Sequence, residues 1–108
     1  MKTLSNQWTE TEHSVVESAF QVAHTRETEA LMAEIRQRVG SLTCVEDMWT
    51  LHDRLSVKRH EIDGKYDRDP SALLFGLAQL IKDGWLQKDD LAGLTADKIA
   101  KVSALARM

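Results

Sequence analysis

Cysteine and proline are almost missing from this sequence of 108 residues, and each scarcity narrows the class of protein. The single cysteine, Cys44, excludes an internal disulfide framework and any site built from several thiolates. The single proline, Pro70, leaves long stretches of chain free to form uninterrupted helices. This cysteine usage fits a reducing compartment, so we expect a cytoplasmic protein.

An excess of positive charge is also missing, as is any long apolar run. Lys and Arg number 14 against 17 Asp and Glu, with both signs interspersed, which argues against nucleic acid or an anionic membrane as a partner. The longest apolar-rich stretch, residues 72–81, is about half as long as a membrane span, so we expect no membrane insertion. The first eight residues hold no apolar run of signal-peptide length.

Apolar residues recur at spacings of three and four, which predicts a nearly all-helical chain. The first helix is expected to begin at Thr9, which can form a capping box with Glu12, and to end at Gly40. About 30 residues at about 1.5 Å rise make a rod of roughly 45 Å. The alternative is a break at the polar segment 25–29, after which the helix folds back.

The remaining helices are also predicted from capping signals. A second capping box, Thr43 with Glu46, is expected to start a helix that runs to about Tyr66. Residues 69–70, an Asp-Pro pair, are expected to cap and start a short buried helix. A last helix is expected to begin at Thr95.

These elements predict one all-α domain, residues 1–108, in which two long antiparallel helices form a dimerising hairpin (1–67) and a small helical head follows (68–108). A compact sphere of this chain length would be only about 34 Å across, so two longer rods cannot both bury their apolar stripes in a monomer. We therefore expect a homodimer. The residues expected at its interface are Leu31, Ile35, Met48 and Leu55.

Polar side chains of the second helix cluster on one side when each residue is placed about 100° from the last. This group, called the polar stripe below, comprises Trp49, His52, Asp53, Ser56, Arg59, His60 and Asp63. Trp and Arg are the residue types that dominate protein-binding hot spots. The alternative is a helix surface whose charges pair with the other rods of the dimer.

Catalysis and metal binding by the polar stripe are disfavoured. Ser56, His52 and Asp53 include the residue types of a nucleophilic triad, but all lie on one helix with no Gly-rich loop or oxyanion donor. His52 and His60 are separated by eight residues, more than two turns, which exceeds the reach to a single ion. We therefore expect no metal site, no cofactor and no enzymatic activity.

A long string within the second helix and beyond resembles the fluorescence recovery protein family of cyanobacteria. The string is W-x-L-H-D-x-L-S-x-x-R-x-x-I-D-x-K-Y, residues 49–66, followed by Leu74-Phe75 and by Gly84-Trp85-Leu86. Early matches at Trp8 and Ala19-Phe20 extend the resemblance over essentially the whole chain.

This resemblance implies a helical homodimer that is not an enzyme. Members of the family bind the C-terminal domain of the photoactivated orange carotenoid protein and speed its return to the inactive form. The family's functional positions match Trp49, His52, Asp53 and Arg59 here. Positions in the head that match Phe75 and Lys101 are associated with partner contact. From the apolar run alone, burial is the default expectation for Phe75.

The chain departs from the family pattern in the head. Residues 68–70 are Arg-Asp-Pro where the family has Tyr-Arg-Tyr, and Gly76-Leu77 replaces a Val-Phe pair. Two interpretations stay open: a regulator of orange carotenoid protein, or a divergent relative that uses the same dimer for another protein partner or a small anion. If residues 68–70 belong to the partner-contact surface, action on orange carotenoid protein should be weak or absent.

Overall fold

The computed structural model describes residues 8–108, and within that range it contains four α-helices and no strand. The helices are α1 (Glu10–Gly40), α2 (Val45–Lys65), α3 (Leu73–Lys82) and α4 (Ala96–Ala106), with short 3-10 turns at Pro70–Ala72 and Lys88–Leu91. The predicted all-α class is confirmed. The expectation that the N-terminus carries no signal sequence concerns residues 1–7, which lie outside the described range.

α1 is a single uninterrupted rod of 31 residues. The predicted capping box is present, because Glu12 N donates to Thr9 Oγ1 at 3.0 Å and Thr9 N donates to Glu12 Oε1 at 3.1 Å. The alternative of a break at residues 25–29 is wrong. The physical reason is that Glu27, in the middle of that segment, is buried and hydrogen-bonded, so the polar residues there do not mark a turn.

The predicted start of α2 is wrong by one residue. Cys44 occupies the N-cap position, and Val45 is the first helical residue. Thr43 instead donates its N–H and its hydroxyl to Asp47 Oδ2 at 3.1 and 3.0 Å, so the expected pairing with Glu46 does not form. Asp47 stands at the third position of the helix and takes the role that the capping-box prediction gave to its neighbour.

The start of α4 is as predicted, whereas Asp69 and Pro70 start a 3-10 turn and α3 itself begins three residues later, at Leu73. Asp69 Oδ1 accepts from Ser71 N at 3.0 Å, and Pro70 begins the 3-10 turn that leads into α3. Thr95 Oγ1 accepts from Lys98 N at 3.3 Å at the start of α4. Gly84 ends the α3 region with a φ of 89°, a left-handed conformation that glycine adopts without strain.

The hydrophobic core lies at one end of the molecule and joins the first half of α1 to α3 and α4. Its residues are Val16, Ala19, Phe20, Ala23, Leu73, Leu74, Leu77, Ala78, Leu80, Leu86, Leu91, Leu94 and Val102. At the other end, residues 28–58, called the arm, contribute a single buried side chain, Leu51.

The molecule is therefore elongated, with extents of 59 × 25 × 25 Å and a radius of gyration of 16.8 Å. A compact chain of this length would have a radius of gyration near 13 Å, roughly as the sequence argument assumed. Within residues 8–108, no helix has the length and apolar character that a membrane crossing requires.

Candidate functional site

α2 turns the polar stripe away from α1. On the side of α2 that faces α1, Arg54 is hydrogen-bonded to Glu34, and Lys58 and Lys65 approach Glu27. The stripe lies on the other side of the helix. Trp49 is 57% exposed, and the side chains of His52, Asp53 and Arg59 are 71%, 80% and 84% exposed. In a single chain the stripe is thus an open surface.

Most of the polar stripe lines one shallow depression of about 500 Å³. Its lining residues are His52, Leu55, Ser56, Arg59, His60 and Asp63. The structure therefore brings together the imidazoles and the guanidinium that the sequence placed on one side of the helix.

The ion pairs within the polar stripe have long distances and join residues that are close in the sequence. Arg59 Nε lies 3.9 Å from Asp63 Oδ2, and His52 Nδ1 lies 3.4 Å from Asp53 Oδ1. Exposed ion pairs of this kind contribute about 0–1 kcal/mol, so these groups stay available to a partner.

The hydroxyl and imidazole groups of the stripe do not form an activated nucleophile in the described structure. His60 Nδ1 lies 2.8 Å from the backbone oxygen of Ser56, and no hydrogen bond joins the Ser56 hydroxyl to His52 among the contacts described. A nucleophile needs a base within hydrogen-bond reach of its hydroxyl. In the part of the chain from Trp8 onward, no group of three His, Cys, Asp or Glu side chains could hold a metal ion.

Phe75 is 65% exposed, so the default expectation of burial is wrong. α3 buries its four leucines in the core with α1 and α4, and this leaves the side that carries Phe75 uncovered. Phe75 lines a depression of about 260 Å³ together with Lys82, Leu105 and Met108. Lys101 lies one turn before Leu105 on α4 and pairs with Asp97 at 3.2 Å.

Large apolar side chains are also exposed along the arm. Met32, Val39, Met48 and Leu55 are 51%, 53%, 46% and 37% exposed. Leu31 and Ile35 are half-buried. Of the four residues expected at a dimer interface, Leu31 and Ile35 are thus only partly accessible in the single chain, whereas Met48 and Leu55 are open.

The exposed apolar residues of the arm share one face. Gln21 of α1 and Ile62 of α2 line the same cavity, so these two positions lie on one shared surface of the two helices. Val39 lies five whole helical turns from Gln21, and Leu55 lies seven residues before Ile62, so both point to that side. This surface, called the arm face, comprises Met32, Ile35, Val39, Met48 and Leu55.

The profile of the family described as photoprotection regulator fluorescence recovery protein matches residues 8–106. The chain belongs to this family. The curated fluorescence recovery protein of Synechocystis sp. (strain ATCC 27184 / PCC 6803 / Kazusa) is 42% identical over 108 residues, which covers 100% of this chain and 99% of the relative.

Solved structures of the family have the same fold. The fluorescence recovery protein of Fremyella diplosiphon superposes with a TM-score of 0.90 at 48% identity. That of Synechocystis sp PCC 6803 superposes with a TM-score of 0.90 at 43% identity. Each comparison covers 94% of this chain and 100% of the solved chain. The resemblance in sequence is therefore confirmed at the level of family and fold, and the family is one of photoprotection regulators.

The segment that departs from the family sequence pattern has local contacts in this chain. Arg68 Nη2 donates to Glu17 Oε1 at 2.7 Å, its Nε donates to Oε2 at 2.9 Å, and its guanidinium lies 5.4 Å from the Phe20 ring centre. The hydrogen bonds from Arg68 lower the pKa of Glu17. Asp69 caps the 3-10 turn and Pro70 starts it, so these two residues shape the connection from α2 to α3, whereas Arg68 binds α1.

Two buried glutamates were missed by the sequence argument. Glu12 is 3% exposed and Glu27 is 1% exposed. A signal was present, because both continue the spacing of three and four residues that Val16, Phe20 and Ala23 define on α1. Because glutamate is charged, both residues look like surface positions in the sequence.

Glu12 ties the start of α1 to α4. Its Oε1 accepts from Lys98 Nζ at 2.7 Å, and the Lys98 ammonium also lies 4.2 Å from the Trp8 ring centre. Burial opposes ionisation of Glu12, but hydrogen bonds from Lys98 and from the backbone N–H groups of Thr9 and Thr95 together lower its pKa.

Glu27 lies where α1, α2 and α3 meet. Its Oε2 accepts from Lys65 Nζ at 2.8 Å, and its Oε1 accepts from Tyr66 Oη at 2.9 Å. Lys58 Nζ lies 3.8 Å from Glu27 Oε2, and Lys65 Nζ also donates to Asp83 Oδ2 at 3.4 Å. We call these five residues the Glu27 cluster.

Proposed function

We propose that this chain is a non-enzymatic homodimeric regulator that binds the C-terminal domain of the photoactivated orange carotenoid protein and accelerates its return to the inactive state. The observation that carries the proposal is the open polar stripe on α2. By the resemblance in sequence, Trp49, His52, Asp53 and Arg59 match positions proposed as functional in the family. Their side chains are solvent-exposed, which supports a role in binding. A surface of this composition suits recognition of a protein partner.

The homodimer is part of the same proposal. The arm has a single buried side chain and an exposed apolar face, so its two helices lack a core of their own. Helices with an uncovered apolar face are stabilised when a second helical surface packs on them. A second copy of the chain, placed on the arm face, supplies that surface.

Acceleration of a partner's relaxation requires no reacting group. A binding protein lowers the barrier when it binds the transition state of the partner more tightly than the activated state. The stripe offers a ring, an imidazole, a carboxylate and a guanidinium for such differential contacts. The head residues Phe75 and Lys101 are proposed as a second contact region.

The test times the dark recovery of photoactivated orange carotenoid protein in the presence of this protein. Trp49→Ala and Arg59→Leu should each weaken the effect, because truncating a hot-spot Trp or Arg costs about 2 kcal/mol or more in binding. Val57→Ala is the matched control for Trp49, since Val57 is 59% exposed on the same helix but outside the stripe. Arg36→Leu, on exposed surface of α1, is the control for Arg59.

Normal acceleration by both stripe variants would overturn the assignment of the site. Early melting of both variants would make the stripe structural instead. If the unaltered protein has no effect on recovery, the proposed partner is wrong.

A second candidate function is regulation of a different protein partner by the same scaffold. It is favoured by the changed segment, in which Arg68 is bound to Glu17 rather than presenting an aromatic ring. Replacing residues 68–70 by Tyr-Arg-Tyr tests it in the same assay. A gain confined to the replaced variant would support the second candidate, whereas equal and strong acceleration by both proteins would refute it.

Binding of a small anion is the remaining alternative. It is favoured by the presence of Arg59, His52 and His60 around one depression. Titration with inorganic phosphate, followed by the nuclear magnetic resonance shifts of the two imidazoles, tests it. Shifts that do not saturate, or that persist in Arg59→Leu, would count against an anion site.

A further inference from the structure

Glu27 marks the point where α1 leaves the core. It is the last residue of α1 with a buried side chain, and the helix continues for 13 more residues, to Gly40, with none. The neighbouring core residues, Ala23 and Phe20, fix the first half of α1 against the head. The orientation of α1 relative to the head is therefore set by apolar packing before the Glu27 cluster is reached.

The orientation of α2 is set differently. Its single buried residue is Leu51, and its contact with α1 within the arm includes the Arg54–Glu34 pair, in which the side chains are 41% and 29% exposed. The pair is bidentate, since two N–H groups of Arg54 donate to the two oxygens of Glu34, but it is partly open to water, whereas the carboxylate of Glu27 is fully buried. Near the other end of α2, the Tyr66 and Phe20 rings pack nearly at right angles with ring centres 5.5 Å apart.

The Glu27 cluster supplies directional contacts at that end. Lys65 is the last residue of α2 and Tyr66 is its cap, and both bind the same buried carboxylate. Lys65 also reaches Asp83, the residue that caps α3. The Glu27 carboxylate on α1 therefore binds the end of α2 directly. Through Lys65, the same contacts extend to the end of α3.

The titration behaviour agrees with a tightly held cluster. Burial, followed by the hydrogen bond to Glu27, raises the pKa of the Tyr66 hydroxyl. Burial of Lys65 favours its neutral form, yet its hydrogen bond to Glu27 and the nearby charges raise its pKa, so the ammonium is retained.

Buried ion pairs are poor sources of net stability, because apolar side chains of similar volume often stabilise a fold as well or better. Their contacts are directional, however, and in some proteins they select one arrangement among several. The Glu27 cluster lies between α1, whose first half packs in the core, and α2, which has one buried residue. This position suits the selection of one arrangement of the two helices.

We propose that the Glu27 cluster is a joint that holds α2, and with it the polar stripe, in one orientation relative to the head. This goes beyond the proposed function, since it concerns the free protein and needs no partner. Without the joint, apolar contacts at Leu51 and Tyr66 would remain, but they would allow α2 to pack at more than one angle.

The test exchanges the ion pair for apolar residues of similar length, as in the double variant Glu27→Met/Lys65→Met. The matched control is Glu12→Met/Lys98→Met, which makes the same exchange at a buried pair within the core end of the molecule. Both variants should remain helical by circular dichroism, because the exchange of a buried pair for apolar residues is often neutral.

The readout is the distance between spin labels on α2 and on the head, measured by pulsed electron spin resonance. Labels are attached at Val57→Cys and Ala100→Cys, both exposed positions, in a Cys44→Ser background. Labelled chains are diluted with excess unlabelled chain so that distances within one chain dominate. The parent and the Glu12→Met/Lys98→Met control should give one narrow distance, and the Glu27→Met/Lys65→Met variant a broadened or split distribution.

Two results would overturn the proposal: a distribution as narrow as the parent's in the Glu27→Met/Lys65→Met variant, or equal broadening in the control. If that variant loses helicity, Tyr66→Phe takes its place, since it removes one bond to Glu27 and keeps the ring. Broadening in Tyr66→Phe supports the joint, and an unchanged distribution refutes it.

Discussion

Two buried glutamates on α1 each bind a lysine that lies far away in the sequence. At either end of the buried side of α1 stands a glutamate, Glu12 or Glu27, and each binds a lysine from a later helix. Removing one partner from such a pair leaves an uncompensated charge out of water, and that is far more damaging than replacing both. The two pairs therefore make the fold sensitive to point substitution at positions that look like ordinary helix surface.

Glu12→Gln should lower the free energy of unfolding by about 2 kcal/mol at pH 7, because the Lys98 ammonium loses its buried counter-charge. The pKa of Glu12 is lowered in the folded state, so its contribution is present above the pKa of the unfolded chain and is lost as the pH falls through the folded value. The difference between parent and variant should thus shrink below about pH 4. Urea unfolding at a series of pH values measures it, and a difference that persists undiminished in acid would contradict the assignment.

At the scale of whole elements, local signals decide helix ends and tertiary packing decides which sides are buried. Thr9, Glu12 and Gly40 allowed α1 to be predicted, because caps depend on a few neighbouring residues. The start of α2 was misplaced because Glu46 and Asp47 both offer a carboxylate near Thr43, and the sequence does not say which one reaches back.

Burial was harder to predict than the helices themselves. The run 71–81 is apolar on every side, so its pattern could not tell that α1 and α4 cover the sides of Leu73 and Leu77 but not that of Phe75. The burial of Glu27 was missed for a different reason. Its partners, Lys65 and Tyr66, lie 38 and 39 positions later in the chain, so the local sequence pattern does not reveal them. The polar stripe was predictable because exposed residues need no tertiary partner.

Gly76→Ala should stabilise α3 by about 0.5–1 kcal/mol, the usual penalty for glycine inside a helix. A Cβ at this position would lie 3.5 Å from the Lys65 backbone oxygen and 3.7 Å from the Phe20 ring, both ordinary contacts. Thermal unfolding measures the change. Gly93→Ala is the opposing control, because Gly93 has a φ of 111° and its Cβ would lie 2.6 Å from Val15 Cγ2, so this variant should melt early.

At the scale of the whole molecule, the outline itself argues for self-association. A chain 59 Å long and 25 Å wide has its core at one end, and its arm carries the apolar arm face without cover. Placing a second chain along the arm would bury Met48 and Leu55 while leaving the core end free. In such a dimer the polar stripe flanks the contact, because His52 and Arg59 line the same depression as Leu55.

Leu55→Glu should convert the dimer into a monomer. Leu55 is 37% exposed in the single chain, and burying a carboxylate there without a partner costs several kcal/mol, enough to outweigh a modest interface. Light scattering at micromolar concentration should give twice the chain mass of 12.2 kDa for the parent and 12.2 kDa for the variant. Val57→Glu, two residues later and on a different side of α2, should stay dimeric because it is not on the arm face. A parent that scatters as a monomer would refute the dimer, and dissociation by both variants would show that the interface is not confined to the arm face.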